Sequence, residues 1–192
     1  MDSKVDKLFE SLGIDREKEI IVVHPGTGGS AKEWPQEFFG HLAARLHAER
    51  GVQILITGSR GEERKVASVL IGAKGNAIPL VGRLTLKELA ALIRKAALFI
   101  SNSTGPMHIA VAAGTPVLSM FPQITAMNAV RWGPYTSKKR VLVPDKPVDC
   151  AECTNKQELH CACMMSISVD QAYDAACSLL AEQKKKESVL ND

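Results

Sequence analysis

The clearest candidate for chemistry is the run Ser103-Thr104-Gly105-Pro106, followed by His108. Ser103 or Thr104 can cap a helix that has Pro106 in its first turn, and Gly105 allows a ligand to approach the backbone closely. Helix N-termini attract anions because their backbone N–H groups point outward and the dipole is positive there. Capping alone explains the serine, threonine and proline but not His108. The run therefore predicts a phosphate-binding site.

A second candidate is the glycine-rich loop from His24 to Lys32. Its glycine spacing fits a dinucleotide fingerprint, but no acidic residue closes the following strand at Thr57, and the Walker pattern also fails around Lys32. Backbone N–H groups near Gly28, the hydroxyl of Thr27 and the Lys32 ammonium still suit a phosphate. The alternative is a flexible glycine turn with a solvated lysine.

Glu62 closes a third loop that starts at Gly58-Ser59. A carboxylate at this position can accept hydrogen bonds from ribose hydroxyls. The alternative is an acidic residue at a helix N-terminus, where the helix dipole favours it.

Four of the five cysteines lie close together, at Cys150, Cys153, Cys161 and Cys163. The Cys-x-x-Cys pair has zinc-ligand spacing, whereas Cys-x-Cys is less typical of a zinc site. Free thiols are the commoner outcome for such a loop in the cytosol. We therefore expect no bound metal and no cofactor, with a structural zinc as the alternative.

These loops lie between short apolar runs and amphipathic segments that alternate along the chain. The patterns predict strands at 20–23, 52–57, 77–81, 97–100, 117–121 and 140–143 and helices at 2–12, 35–51, 62–73, 85–93, 107–113 and 168–186. Such alternation predicts an α/β fold with a Rossmann-like parallel sheet and helices on both faces. Ligands bind beyond the carboxyl ends of such strands, where all three loops lie.

Composition indicates a globular protein: 45% of the 192 residues are hydrophobic and 23% are charged. We expect one domain over 1–192, with a helix and linker at 1–19, a cysteine-containing loop at 144–167 and a C-terminal helix at 168–186. The net charge of +3 is too small to predict a nucleic-acid partner. The sequence contains neither a signal peptide nor a transmembrane segment, which predicts a cytoplasmic protein.

Several motifs occur together in a recognisable order. They are Pro25-Gly26, Lys32-x-Trp34-Pro35, Gly58-Ser59-x-x-Glu62, Leu84-Thr85-Leu86-x-Glu88-Leu89, the run from Ser101 through His108 to Pro116, and the cysteine cluster ending in Cys163-Met164. This set resembles the C-terminal domain of the glycosyltransferase family that includes the ADP-heptose:lipopolysaccharide heptosyltransferases. The resemblance covers nearly the whole chain from Ile20 onward.

The resemblance implies one half of a GT-B glycosyltransferase that holds a nucleotide-diphosphate sugar, ADP-linked rather than UDP-linked. It implies inverting, metal-independent transfer from ADP-heptose to a lipopolysaccharide core acceptor, with peripheral contact at the inner membrane. The corresponding donor-binding residues are Lys32 and Thr27 with Gly28 at the phosphates, Glu62 at the ribose, Leu84 at the adenine, and Ser103, Thr104, Gly105 and His108 around the diphosphate and sugar. Lys32 would also stabilise the departing diphosphate electrostatically.

Two departures from the family pattern limit what the resemblance implies. The family commonly has an aspartate, which contacts the donor sugar, where this chain has Ser103. The family also has an N-terminal acceptor domain with the general base, which we expect to be missing, so that the chain alone binds donor without turnover. The alternatives are a stand-alone nucleotide-binding module and half of a GT-B-like nucleotide-sugar epimerase.

Overall fold

The computed structural model describes residues 2–145 and 163–190. A six-stranded sheet with the order β3-β2-β1-β4-β5-β6 forms its centre, and every pairing is parallel. The strands are β1 (Ile20–His24), β2 (Gln53–Ile56), β3 (Ile78–Pro79), β4 (Leu98–Asn102), β5 (Val117–Met120) and β6 (Lys139–Leu142). All six predicted strands are confirmed. The proline-containing strand is short and lies at an edge, where a missing N–H donor is tolerated.

Helices cover both faces of the sheet, which confirms the predicted fold class. One face carries α2 (Gln36–Arg50), α3 (Glu63–Gly72) and α7 (Val169–Leu190). The other carries α1 (Asp2–Leu12), α4 (Leu86–Arg94) and α5 (Gly105–Ala112). Alternate residues of each central strand point to opposite faces. In β1, Ile21 and Val23 therefore join the first core while Ile20 and Val22 join the second.

Local sequence signals account for several helix boundaries. Thr85 and Glu88 form the predicted capping box before α4. The Thr85 hydroxyl accepts from the Glu88 backbone N–H at 3.3 Å, and the Glu88 carboxylate accepts from the Thr85 backbone N–H at 2.8 Å. Ser168 and Gln171 form the same reciprocal arrangement before α7, at 3.1 Å and 2.8 Å. Helix α7 continues to Leu190, beyond the predicted end at 186.

A close contact between two helices depends on glycine. A Cβ on Gly40 of α2 would lie 2.4 Å from the carbonyl oxygen of Val69 in α3, so only glycine allows this approach. The contact holds α3 and the loop before it against α2.

Between β5 and β6 the chain forms a short helix, α6 (Ala129–Trp132), capped by the Asn128 side chain. The sequence patterns did not predict this helix, because one turn is too short to show a hydrophobic period. Within the described residues, no helix is both long and apolar enough to span a bilayer.

The cysteine prediction concerns mostly residues outside the described part of the chain, since Cys150, Cys153 and Cys161 fall in the gap between 145 and 163. Cys163 lies within the core beside Met164 and the first turn of a 3-10 helix (Met164–Ser166).

Candidate functional site

A cavity of about 380 Å³ opens beyond the carboxyl ends of β1, β2 and β4, within the size range of small-molecule sites. One part of its lining is apolar and is formed by Leu80, Leu84, Leu86 and Leu89. The rest comes from the three loops predicted from the sequence, represented by Gly28, Glu62 and Gly105 among others. The tertiary structure therefore brings these loops together.

Glu62 lies at the wall of this cavity with only 8% of its surface exposed. Its Oε2 accepts hydrogen bonds from the Ser59 backbone N–H at 2.8 Å and the Ser59 hydroxyl at 2.7 Å. Its Oε1 is buried without a partner among the described residues. Burial raises the pKa of Glu62, but the bonds from Ser59 and the nearby His24 and Lys65 lower it overall. The site thus holds an ionised carboxylate, one oxygen of which has no hydrogen-bond donor among the described residues.

The orientation of the Glu62 side chain can be compared with the alternative that Glu62 is simply an acidic residue at a helix N-terminus. Glu62 occupies the N-cap of α3, yet within the described structure its side chain makes no capping hydrogen bond. Capping therefore does not account for its orientation, because the carboxylate turns toward Ser59 and the cavity instead.

His24 and Thr57 also line the cavity, and the sequence patterns did not single them out as site residues. Nδ1 of His24 lies 3.0 Å from Oγ1 of Thr57, whose hydroxyl donates to the carbonyl oxygen of Val23 at 3.3 Å. Thr57 then accepts from Nδ1–H, which leaves Nε2 as an acceptor. Burial lowers the pKa of His24, although Glu62 and Glu33 oppose this, so the ring is neutral at pH 7. The signal in the sequence that could have identified His24 is its position as a polar residue at the end of an apolar strand.

A buried polar row continues across the sheet from His24. His24 pairs in register with Ser101, and Ser101 pairs with Ser119, so the three side chains point to the same face. Both serine hydroxyls are buried and lack a hydrogen-bond partner within the described residues.

The glycine-rich loop is organised by Glu33, another residue that the sequence patterns did not indicate. Its Oε1 accepts from the backbone N–H of Thr27 at 2.9 Å, from the Thr27 hydroxyl at 2.8 Å and from Lys65 Nζ at 2.5 Å. Its Oε2 accepts from Gln36 Nε2 at 2.9 Å. Thr27 lines the cavity, but its two donors are engaged by Glu33.

Lys32 lies half-buried on the same loop. Helix α2 begins only at Gln36, after Pro35, so Lys32 precedes the helix rather than starting it. Of the described cavities, neither the one at Glu62 nor the one at His108 includes Lys32 in its lining. Its contact with donor phosphates stays a prediction.

Asn102 connects the first loop to the second. Its Oδ1 accepts from the backbone N–H of Trp34 at 2.8 Å, and its Nδ2 donates to the carbonyl oxygen of Pro25 at 2.6 Å. Since Asn102 is the last residue of β4 and is fully buried, these bonds fix the glycine-rich loop relative to the start of α5.

Helix α5 begins at Gly105, two residues before the predicted start at 107. Thr104 is at the N-cap and Pro106 is in the first turn, as predicted. The Thr104 side chain makes no capping bond in the described structure. Thr104 and Gly105 line the first cavity and also a second one of about 390 Å³, which includes Ser103 and His108. The positive end of α5 therefore lies between two adjoining cavities.

The predicted site residues thus divide between the two cavities. Thr27, Gly28, Glu62 and Leu84 line the first, Ser103 and His108 line the second, and Thr104 and Gly105 line both. This arrangement offers an apolar pocket with a hydrogen-bond acceptor, an anion-attracting helix end and a further pocket beyond it.

The sequence matches the model of a family described as glycosyltransferase family 9 (heptosyltransferase) over residues 2–162. The chain belongs to glycosyltransferase family 9. The resemblance inferred from the motifs is therefore confirmed.

Individual family 9 proteins show the same relationship. The chain is 31% identical over 165 residues to the lipopolysaccharide heptosyltransferase 1 of Pseudomonas aeruginosa, covering 81% of this chain and 44% of that protein.

Solved structures show that the fold is shared. A family 9 glycosyltransferase from Veillonella parvula aligns with a TM-score of 0.79 at 24% identity, covering 94% of this chain and 51% of that one. An Escherichia coli ADP-heptose LPS heptosyltransferase II aligns with a TM-score of 0.77 at 19% identity, covering 96% and 53%. The chain spans about half the length of these three proteins.

Proposed function

We propose that this chain binds the nucleotide-diphosphate sugar of a glycosyltransferase reaction, an ADP-linked heptose destined for a lipopolysaccharide core acceptor. The observation that carries the proposal is that Glu62, whose Oε1 has no partner among the described residues, and the N-terminus of α5 line one cavity. A ribose hydroxyl suits the first group and a phosphate suits the second.

The nucleoside occupies the leucine-lined part of the first cavity. The apolar side chains of Leu80, Leu84 and Leu89 suit the faces of a purine, since ligand pockets combine apolar walls with a few placed polar groups. The Glu62 carboxylate accepts a hydrogen bond from a ribose hydroxyl, while Ser59 holds the carboxylate through Oε2.

The diphosphate lies at the start of α5. The backbone N–H groups there and the missing side chain of Gly105 allow close approach of phosphate oxygens. As the bond to the sugar breaks, negative charge develops on the departing diphosphate, and preorganised donors stabilise that charge without reorganising. Lys32 adds a positive charge to this stabilisation from the glycine-rich loop.

The acceptor and the general base come from outside the two cavities. Among the described residues that line them, Glu62 is the only carboxylate, and it is committed to Ser59 and the ribose. An acceptor hydroxyl needs a base within hydrogen-bond reach. We propose that the chain by itself binds donor without transferring sugar. The names of the P. aeruginosa and E. coli relatives support heptose as the sugar and lipopolysaccharide as the acceptor.

Calorimetric titration of the purified chain with ADP, UDP and ADP-heptose tests the proposal. We expect ADP to bind more tightly than UDP, and Glu62→Gln and Lys32→Ala each to weaken ADP binding about tenfold, as loss of an interaction with a charged group does. Glu63→Gln is the matched control, because the neighbouring Glu63 is exposed and its Oε2 accepts from the Gly61 N–H at 2.9 Å. Equal binding of UDP would contradict the ADP assignment.

A further inference from the structure

The second cavity has an aromatic side chain that the nucleotide site does not use. Trp132, the last residue of α6, lines this cavity. Its indole ring is apolar, whereas the hydroxyl and imidazole groups of the other lining residues are polar. Its indole Nε1–H donates to the carbonyl oxygen of Ala126 at 2.9 Å, and 48% of its surface is exposed. The indole is thus held in place by its polar edge while part of its surface stays open to a ligand.

The lining of the second cavity has the composition of a carbohydrate site. Ser30, Ser103 and His108 supply hydrogen-bonding groups, whereas Met127 and Trp132 supply apolar surface. A sugar ring presents hydroxyl groups around its edge and C–H groups on its faces, so it matches a pocket of this kind. Among the described lining residues of this cavity there is no carboxylate, which leaves hydroxyl, imidazole and backbone groups to contact the sugar hydroxyls.

The two cavities meet at the point where a diphosphate would bind. Thr104 and Gly105 line both of them, so a group attached to a diphosphate at the start of α5 extends into the second cavity. We infer that Trp132 forms the wall against which the transferred sugar packs, and that it helps to determine which sugar is accepted. This inference rests on the proposed function, because it requires a nucleotide diphosphate in the first cavity.

The tryptophan content of the chain makes a direct test feasible. The only two tryptophans in the sequence are Trp34 and Trp132. Trp34 has 0% of its surface exposed, and its Nε1–H donates to the carbonyl oxygen of Ile167 at 2.9 Å. Quenching of the intrinsic fluorescence by acrylamide therefore reports mainly on Trp132. We expect ADP to leave the quenching constant unchanged and ADP-heptose to lower it, because only the sugar covers the indole.

Substitution provides a second measurement. In Trp132→Ala, ADP binding should stay unchanged while the extra affinity of ADP-heptose over ADP falls about tenfold, the scale expected for one aromatic contact. Trp132→Phe keeps a flat ring and should restore most of that extra affinity. Tyr135→Ala is the matched control, since Tyr135 is 95% exposed and lies outside the lining of the second cavity.

The outcomes separate the inference from the function on which it rests. One outcome is that the unaltered chain binds ADP, that ADP-heptose does not protect the indole from acrylamide, and that Trp132→Ala binds ADP-heptose as tightly as the unaltered chain does. Trp132 is then not the wall against which the sugar packs, and the nucleotide site still stands. Equal weakening of ADP and ADP-heptose in Trp132→Ala also overturns the inference, because the effect then does not depend on the sugar. If the unaltered chain binds neither ligand, the proposed function fails and the inference fails with it.

Discussion

The carboxylate of Glu62 occupies the space that a side chain on Gly26 would need. A Cβ built on Gly26 would lie 1.7 Å from Oε1 of Glu62, far inside van der Waals contact. The loop after β1 and the loop after β2 can therefore approach each other only because residue 26 has no side chain. This contact holds Oε1 of Glu62, which has no partner among the described residues, against the Gly26 backbone.

Gly26→Ala should weaken ADP binding about tenfold without unfolding the protein. The new methyl group displaces the Glu62 carboxylate, and a hydrogen bond between a charged acceptor and a ligand hydroxyl typically contributes enough for a tenfold change or more. Calorimetry with ADP measures the effect. Because both changes act through one carboxylate, the double variant Gly26→Ala/Glu62→Gln should bind no more weakly than the weaker single variant. Additive losses would show that Gly26 acts independently of Glu62.

Gly105→Ala should change stability and binding in opposite directions. A Cβ on Gly105 meets no described atom within 4 Å, and its backbone is outside the left-handed region. Alanine is the better helix residue, so the free energy of unfolding should rise by as much as about 0.5 kcal/mol. ADP binding should weaken about tenfold, because the methyl group blocks close approach of the phosphates. Urea unfolding and calorimetry give the two readouts, and unchanged ADP affinity would place the phosphates elsewhere.

The buried hydroxyl of Ser119, in the polar row on the sheet, should lower the stability of the folded state. Ser119→Ala removes a hydroxyl without a partner among the described residues, so the free energy of unfolding should rise by about 1 kcal/mol. Thr115→Val is the contrasting variant, because the Thr115 hydroxyl donates to the Ile93 carbonyl oxygen at 2.8 Å, and its loss should lower stability by about 1 kcal/mol. Urea unfolding measures both. A loss of stability in Ser119→Ala would reveal a partner for that hydroxyl.

The lowered pKa of His24 predicts how stability depends on pH. Burial depresses this pKa below the usual 6.5 of the unfolded chain. Between the two values the unfolded state binds a proton that the folded state does not, so stability falls as the pH decreases below about 6.5. Glu62 also has a lowered pKa, but that contribution is lost only at a more acidic pH, below its usual range.

His24→Asn tests this assignment, because the asparagine amide can donate to Thr57 in place of Nδ1–H but does not titrate. Unfolding in urea is measured between pH 5 and pH 7.5. The variant should lose less stability than the unaltered chain as the pH falls through this range. The same slope for both proteins would mean that another group controls the pH dependence.

The positions of the strands and most helices followed from local patterns. Runs such as Ile20–Val23 are apolar and β-branched, and capping pairs such as Thr85 with Glu88 mark helix starts within four residues. Strand-end loops were identifiable for the same reason, since in a parallel sheet they must meet at one edge. His24 was missed because its place in β1 depends on pairing with Ser101, far along the chain.

The sequence by itself determined the fold class, the family and the set of loops that converge, because these depend on residue types at short spacing. The tertiary structure alone decided which atoms in those loops are engaged. Glu33 resembles a surface acid in the sequence, yet packing of α3 against α2 brings Lys65 to it, and it takes both donors of Thr27. Glu62 keeps one oxygen without a described partner for a similar reason, since its surroundings come from Gly26 and Ser59 on two different loops. Hydrogen bonds and burial depend on distances between segments that local patterns do not encode.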